Sequence, residues 1–468
     1  SVGGSLVNLG LVLAGKTPVN LNFTTSAEAF SSSLRQADIS VVITAGKMME
    51  KASHLVWPEQ VVLAETLVGS VTAADRLIAL AKALLAPACW LAGPAREGGD
   101  DLLTIMFSSG TTGEPKGVML SHHNVLSNVE ALVEAFRPDG EAHLCATLPI
   151  FHSFGFTAGI YFPLLCGLRV SYHVSPLDTG KVIDVIRERR CNTLFTTPSF
   201  LTSYYRKAEP SELATLKFVV VGAEKLKKQL ADAFEQKFGV RPLEGYGTTE
   251  MAPVVALNVP DVEDPRTPQV GGKDGSIGQP LPGIAARIVD PESGAPMPRG
   301  EAGMLLVRGP NRMLGYLHRP DLTGAAIRDG WYVTGDIAKI DDEGFIFITD
   351  RIHRFSKIGG EMVPHMAAED VVATALNLVE PAVAVTAIPD ETKGERLVLL
   401  YTPSAGDPRR VKEALAGSGL PNLWKPAESM FFVVEHLPLT SSGKLDVRGI
   451  KELARACVAK ARQAIRPE

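Results

Sequence analysis

Short runs of β-branched and aromatic residues alternate along this chain with stretches in which apolar side chains recur every three to four positions. Ile39 to Thr44, Leu103 to Phe107 and Phe218 to Gly222 carry the first pattern and predict strands. Gly180 to Arg190 and Lys225 to Phe238 carry the second and predict helices. Strand and helix in alternation imply an α/β domain built on parallel sheet. From about Gly278 the texture changes. Ala285 to Asp290 and Met304 to Arg308 read as strands punctuated by glycine and proline, which predicts a β-rich subdomain ending near Asp350. Beyond Arg351 short strands and helices mix, as in a small α+β domain. The expected division is therefore residues 1–350 and 351–468. Lys451 to Arg466 interleaves bases with Ala and Leu and reads as a solvated amphipathic helix.

Composition supports two domains and removes several functions. At 468 residues the chain exceeds what one hydrophobic core usually serves. A formal net charge of -5 argues against nucleic acid as a partner, because that footprint needs a basic excess or stripe. The cysteines, Cys89, Cys145, Cys166, Cys191 and Cys457, show no CxxC spacing, which argues against a disulfide framework or a zinc site and fits a reducing compartment. No apolar run approaches the ~18 residues that span a bilayer. Ser1 to Gly10 already reads like the interior of a folded unit, so a longer parent polypeptide is expected.

The strongest chemical signal is Ser108-Ser109-Gly110-Thr111-Thr112-Gly113-Glu114-Pro115-Lys116-Gly117. Such a loop offers backbone N–H groups, hydroxyls and one cation to an anion, as a polyphosphate requires. Glycine after the lysine breaks the Walker A pattern. A literal Walker A match at Gly10 to Thr17 has four apolar intervening positions and is followed by Pro18 where a helix should open, so it reads as coincidence.

The phosphate loop is followed by Leu148-Pro149-Ile150-Phe151-His152-Ser153-Phe154-Gly155, then Gly245-Tyr246-Gly247-Thr248-Thr249-Glu250. Gly330-Trp331-Tyr332-Val333-Thr334-Gly335-Asp336 and Pro438-Leu439-Thr440-Ser441-Ser442-Gly443-Lys444-Leu445 complete the set. In this order they resemble the adenylate-forming superfamily of acyl-CoA synthetases, luciferases and peptide-synthetase adenylation domains, from about Leu11 to about Leu453. Val19 to Thr24, Val221 to Leu226, Asn258 to Val262 and Arg354 to Pro364 are most similar to the synthetase region of the bifunctional acyl-carrier-protein synthetase/acylglycerophosphoethanolamine acyltransferase. In those relatives an acyltransferase or transporter-like membrane region can precede the synthetase. The expected location is cytoplasmic, or the cytoplasmic face of the inner membrane if such segments precede.

The resemblance implies a large α/β domain, a β-rich subdomain and a mobile α+β C-terminal domain, with acid activation by ATP and Mg²⁺ followed by transfer to a phosphopantetheine thiol. Ser108, Thr111, Thr112 and Lys116 would then hold the β- and γ-phosphates. Thr249 would donate to the α-phosphate and Glu250 would ligate Mg²⁺. Tyr246 would pack on adenine, flanked by Gly245, Gly247 and Thr248, with Gly222, Ala223 and Glu224 as the other wall. Asp336 would take the ribose hydroxyls, assisted by Arg351. Lys444 would stabilise charge in the adenylation transition state. His353 would be the hinge about which the small domain turns, and Gly359, Gly360 and Glu361 would line the thiol path. His152 would be an aromatic gate beside the acid, with a buried structural histidine as the alternative.

Amino-acid-activating relatives usually carry Asp where His152 stands, so the resemblance points away from an amino acid. Phe154 to Leu165 and Leu194 to Leu201 are apolar enough to line an alkyl tunnel or to be plain core. The expected activity is fatty acid ligation to holo acyl carrier protein, linked to lysophospholipid reacylation. A fatty acyl-CoA synthetase would use the same adenylation residues with coenzyme A. A catalytically silent nucleotide-binding scaffold is the reading from another class.

Overall fold

The computed structural model describes residues 1–85, 98–108, 114–264, 266–351, 354–358, 361–378, 380–390, 394–439 and 445–465. Val41–Thr44 (β1) pairs in parallel with Gln60–Leu63 (β2), apart from the larger sheets. Leu102–Ser108 (β3) and Lys116–Ser121 (β4) pair antiparallel, with Ser108 opposite Lys116 at the end of the ladder. The phosphate loop therefore closes a hairpin. Ser121 and Asn124 cap the helix His122–Phe136 reciprocally, so β4 runs straight into it.

The main sheet follows. His143–Ala146 (β5), Arg169–Tyr172 (β6), Thr193–Thr196 (β7), Phe218–Val221 (β8) and Leu243–Gly247 (β9) run parallel in the order β9-β8-β7-β5-β6. Val254–Leu257 (β10) and Gln279–Pro280 (β11) extend it antiparallel beyond β9. All four residues of β7 are buried, as a strand covered on both faces should be. Helices Thr179–Arg189, Pro198–Lys207 and Lys228–Phe238 contribute Val182, Ile186, Leu201, Tyr204 and Phe234 to a core against one face. The other face packs on β3, β4 and the helix His122–Phe136 through Met106, Val118, Val125 and Phe156.

Ala285–Val289 (β12), Gly303–Arg308 (β13), Ile327–Arg328 (β15), Trp331–Ile340 (β16) and Ile346–Arg351 (β17) make an antiparallel sheet. Between β13 and β15, Gly315–Tyr316 (β14) leaves that sheet to pair with β4. The strand expected at Leu103 to Phe107 is real but does not join the parallel sheet, and neither does β1. Local apolar runs announce a strand without its partner.

The C-terminal part has cores of its own. Phe355–Ile358 (β18) pairs with Glu361–Pro364 (β19), while Val383–Asp390 (β20), Gly394–Tyr401 (β21) and Phe431–Val433 (β22) form a second sheet. Val363, Val372, Leu399 and Val411 fill one side of that sheet. Leu400, Ile450, Ala454 and Val458 fill the other, the last three from the helix Val447–Ile465. Toward the large domain, Asp350 Oδ2 accepts from Met366 N at 2.9 Å, and Lys225 Nζ meets Asp370 Oδ2 at 2.6 Å. No described helix is long and apolar enough to cross a membrane. The Gly10 to Thr17 match runs through the last turn of the helix Val2–Leu13 rather than between a strand and a helix N-terminus, so its coincidental reading agrees with its surroundings.

Candidate active site

Three sheets meet near the end of β9 and each brings part of the predicted site. Gly247 ends the strand where a Cβ would stand 2.2 Å from the Pro253 carbonyl oxygen, so only glycine fits. The chain then turns through the single 3₁₀ turn Thr249–Met251. Glu250, on that turn, is 9% exposed. Its Oε1 accepts from the hydroxyl of Tyr316 on β14 at 2.8 Å, and its backbone oxygen accepts from Met313 N at 2.8 Å. Lys116 on β4 holds its ammonium 5.4 Å from the centre of the same Tyr316 ring. A cation over an aromatic face is attracted by the ring quadrupole. Burial, reinforced by the Glu250 charge, pushes the Tyr316 hydroxyl far above its ordinary range, so it donates at any working pH.

From the β16 side, Asp336 is 4% exposed and accepts a hydrogen bond from the hydroxyl of Tyr246 on β9. Its backbone N–H is held by Thr334 Oγ1 at 3.0 Å. Tyr332 stands buried among Glu250, Tyr316, Tyr246 and Asp336, and burial first, then the carboxylate charges of Glu250 and Asp336, pushes its phenol up. Arg351 lies opposite Asp336 in the β16–β17 register. Thr249 accepts from Ser153 Oγ at 3.4 Å, and the buried Thr248 hydroxyl has no partner among the described residues. Ser108 and Lys116 flank the phosphate loop. Thr111 and Thr112 lie outside the described residues, as do His353, Gly359, Gly360 and Lys444.

Gly222, Ala223 and Glu224 follow β8 and lie beside β9. A Cβ on Gly222 would be 3.3 Å from the Phe154 ring and 3.4 Å from the Gly245 carbonyl oxygen. Ala223 adopts φ +71°, a left-handed conformation costly for a residue with a Cβ. Ser199 Oγ donates to Glu224 Oε2 at 2.5 Å, fixing that wall to the helix Pro198–Lys207.

His152 is exposed, so it is not a buried structural histidine. It precedes the helix Ser153–Phe156 and rests its ring 4.7 Å from Phe151. Behind this segment a small cavity of ≈ 10 Å³ is lined by Phe154, Gly155, Ala158, Gly159, Ala146 and Leu148. A larger cavity of ≈ 70 Å³ is lined by Phe136, Phe162, Leu168 and Phe218 and also by Arg137, Asp139 and Lys217. Leu144 and Phe195 line both. The Phe195 ring is 6.1 Å from Phe154, 5.9 Å from Phe162 and 6.2 Å from Phe136.

The arrangement suits a polyphosphate nucleotide. A lysine on β4 and a buried carboxylate on the turn after β9 meet one tyrosine, and a second buried carboxylate lies on β16. No cluster of three or more metal-ligating side chains exists among the described residues. Glu250 is a hard oxygen donor of the kind Mg²⁺ takes, one or two carboxylates at a time. The motifs contain Tyr332 and Ser153 without marking a role for either, and none contains Tyr316. Tyr316 is 66 positions from its carboxylate partner, and no spacing rule connects them.

Comparison with known proteins follows the same lines. The model of the AMP-binding enzyme family matches residues 5–317, and that of the AMP-binding enzyme C-terminal domain matches 369–444. The chain is 31% identical to 4-coumarate–CoA ligase-like 4 of Oryza sativa subsp. japonica, over 76% of this chain and 63% of that protein. Identity to the long-chain-fatty-acid–CoA ligase of Salmonella typhimurium is also 31%, over 77% and 63% respectively. The chain thus spans about 63% of the length of these curated relatives. Among solved structures, ATP-bound MatB from Rhodopseudomonas palustris superposes with a TM-score of 0.79 at 26% identity, covering 98% of this chain and 87% of that one. The o-succinylbenzoate coenzyme A synthetase of Bacillus subtilis, in complex with ATP and magnesium ion, shares the fold with a TM-score of 0.76 at 22% identity, covering 96% and 87%.

Proposed function

The chain belongs to the AMP-binding enzyme family, and from that premise we propose that it activates a fatty acid with ATP and passes the acyl group to a phosphopantetheine thiol. A carboxylate oxygen of the acid bonds to the α-phosphorus, the bond from that phosphorus to the bridging oxygen breaks, and pyrophosphate leaves. The thiol sulfur then bonds to the acyl carbon, AMP leaves, and the thiol proton passes to solvent. The observation that carries this reading is the buried Glu250 carboxylate, held by Tyr316 beside the phosphate-loop lysine.

Each residue's part follows from its chemistry. Ser108, Thr111, Thr112 and Lys116 hold the terminal phosphates, and the Thr249 hydroxyl donates to the α-phosphate. Glu250 holds Mg²⁺, which offsets phosphate charge when bound. Asp336, oriented by Tyr246, takes the ribose hydroxyls, with Arg351 at the junction. Gly222, Ala223 and Glu224 wall the base opposite Tyr246. Lys444 stabilises charge at the reacting phosphorus, and His152 gates the acid. The small domain, 351–468, turns about His353 between the two steps, so that Lys444 withdraws before the thiol arrives.

A fatty acid is supported by the apolar lining around Phe154, Ala158, Gly159 and Phe195, which offers no charged partner to a substituent. Acyl carrier protein is our proposed acceptor, and lysophospholipid reacylation the use of the product. This choice rests on the likeness of Arg354 to Pro364 and the other quoted segments to the bifunctional synthetase. Incubation with ATP, Mg²⁺ and labelled palmitate, with holo acyl carrier protein and coenzyme A offered in parallel, tests it. The expected result is preferential carrier-protein acylation. Preferential acyl-CoA formation would make the chain a fatty acyl-CoA synthetase instead.

A further inference from the structure

Lys116 and Glu250 carry opposite charges and meet the same aromatic residue, yet no ion pair joins them. The lysine sits over the face of Tyr316 and the carboxylate accepts from its hydroxyl. The backbone explains why one ring reaches both. Tyr316 lies opposite Val118 in the β14–β4 register, and Lys116 is two positions from Val118, so all three side chains share one face. The ring is anchored independently. Tyr316 N donates to Thr323 Oγ1 at 2.9 Å, Leu317 N donates to the Gly117 oxygen at 2.8 Å, and Met313 N ties the preceding loop to the Glu250 backbone.

We propose that Tyr316 is a positioning residue that keeps the phosphate-loop lysine and the metal-binding carboxylate from neutralising each other. Its face seats the Lys116 ammonium, and its hydroxyl engages one oxygen of Glu250, leaving Oε2 without a hydrogen bond from any described residue and available to a cation. Without the ring, attraction between the two charges would draw them into a direct pair, and each would have to be freed before ATP and its metal bind. This inference rests on the nucleotide reading above.

The two ends of the side chain separate the roles. Tyr316→Phe keeps the lysine seat and removes only the hydroxyl. Tyr316→Leu removes both. Titration calorimetry of ATP binding to the full chain, with Mg²⁺ and with the metal chelated, reads them apart without turnover. Tyr316→Phe should bind metal-free ATP as the parent does and lose about tenfold of the tightening that Mg²⁺ confers, the scale of one hydrogen bond to a charged group. Tyr316→Leu should weaken ATP binding under both conditions. On a Glu250→Gln background, Tyr316→Phe should add no further loss, a cycle that stands even if the leucine variant folds poorly. Full Mg²⁺ tightening in Tyr316→Phe, or equal losses with and without the metal, would overturn the proposal. A parent chain that binds no ATP at all would overturn the nucleotide reading with it, whereas a parent that binds beside an unaffected phenylalanine variant overturns the Tyr316 role alone.

Discussion

Around Glu250 the important polar atoms are placed by named partners, whereas around Phe195 side chains are placed by bulk. Tyr316 fixes Glu250, Tyr246 fixes Asp336, and the backbone of Met313 holds the turn between them. At Phe195 the ring merely fills space between Phe154, Phe162 and Phe136. Loss of one hydrogen bond at the first site leaves a buried charge short of a donor, at a cost of about 1–3 kcal/mol. Loss of ring volume at the second enlarges a cavity and changes what fits. The polar corner should therefore determine whether ATP reacts, and the space around Phe195 which acid reacts.

The largest expected effect breaks the polar corner. Glu250→Ala should lower acid-dependent pyrophosphate release by about 10²–10³-fold, the scale of removing one electrostatic contributor from a preorganised site. The acid preference of the residual activity should stay as in the parent. Next comes Tyr246→Phe, which takes a donor from Asp336. It should raise the KM for ATP about fivefold to tenfold with little change in acid preference, as steady-state kinetics at varied ATP would read. Phe195→Leu probes the other region. Widening the space between the two cavities should move the preferred acid toward longer chains, with each added buried methylene contributing ~0.8 kcal/mol. ATP binding by calorimetry should not change. Equal shifts in ATP binding and acid preference for either tyrosine or phenylalanine variant would dissolve the division.

The smallest effect is on stability. Burial pushes the Glu244 carboxyl, one residue before Gly245, up to about 8, despite a hydrogen bond from Leu226 N at 3.1 Å. An acid whose pKa is raised on folding binds a proton in the native state that the unfolded chain has already released. Its contribution to stability is therefore present below the unfolded pKa of about 4.3 and is lost as pH rises toward 8. Glu244→Gln should flatten that part of the thermal-unfolding profile between pH 5 and pH 8. An unchanged slope would mean that the site hydrates or relaxes on ionisation.

The polar corner was partly legible in the sequence because its residue types recur in a fixed order. Lys116, Thr249, Glu250 and Asp336 could be singled out without coordinates. The support from Tyr316 could not, since it comes from another sheet, on a two-residue strand that no motif includes. Tyr332 stands within the Gly330 to Asp336 motif, but nothing local marks it as a support. Individual elements were legible where apolar period and length agreed, as for Phe218–Val221 and Lys228–Phe238. Partnership was not. The run Leu103 to Phe107 gave no sign that its neighbour is the antiparallel β4 rather than the parallel sheet. Nor does any pattern predict the π turn Thr157–Tyr161 or the left-handed Ala223. The apolar cavities were visible only as apolar runs, which core and substrate tunnel share.

The most direct test of the account is pyrophosphate release measured with ATP and Mg²⁺, with and without a fatty acid, for the parent chain and Glu250→Ala. Release that requires the acid and is abolished or nearly so in the variant is the predicted result. Nucleotide binding with no acid-dependent release would contradict acid activation and leave a silent nucleotide-binding module.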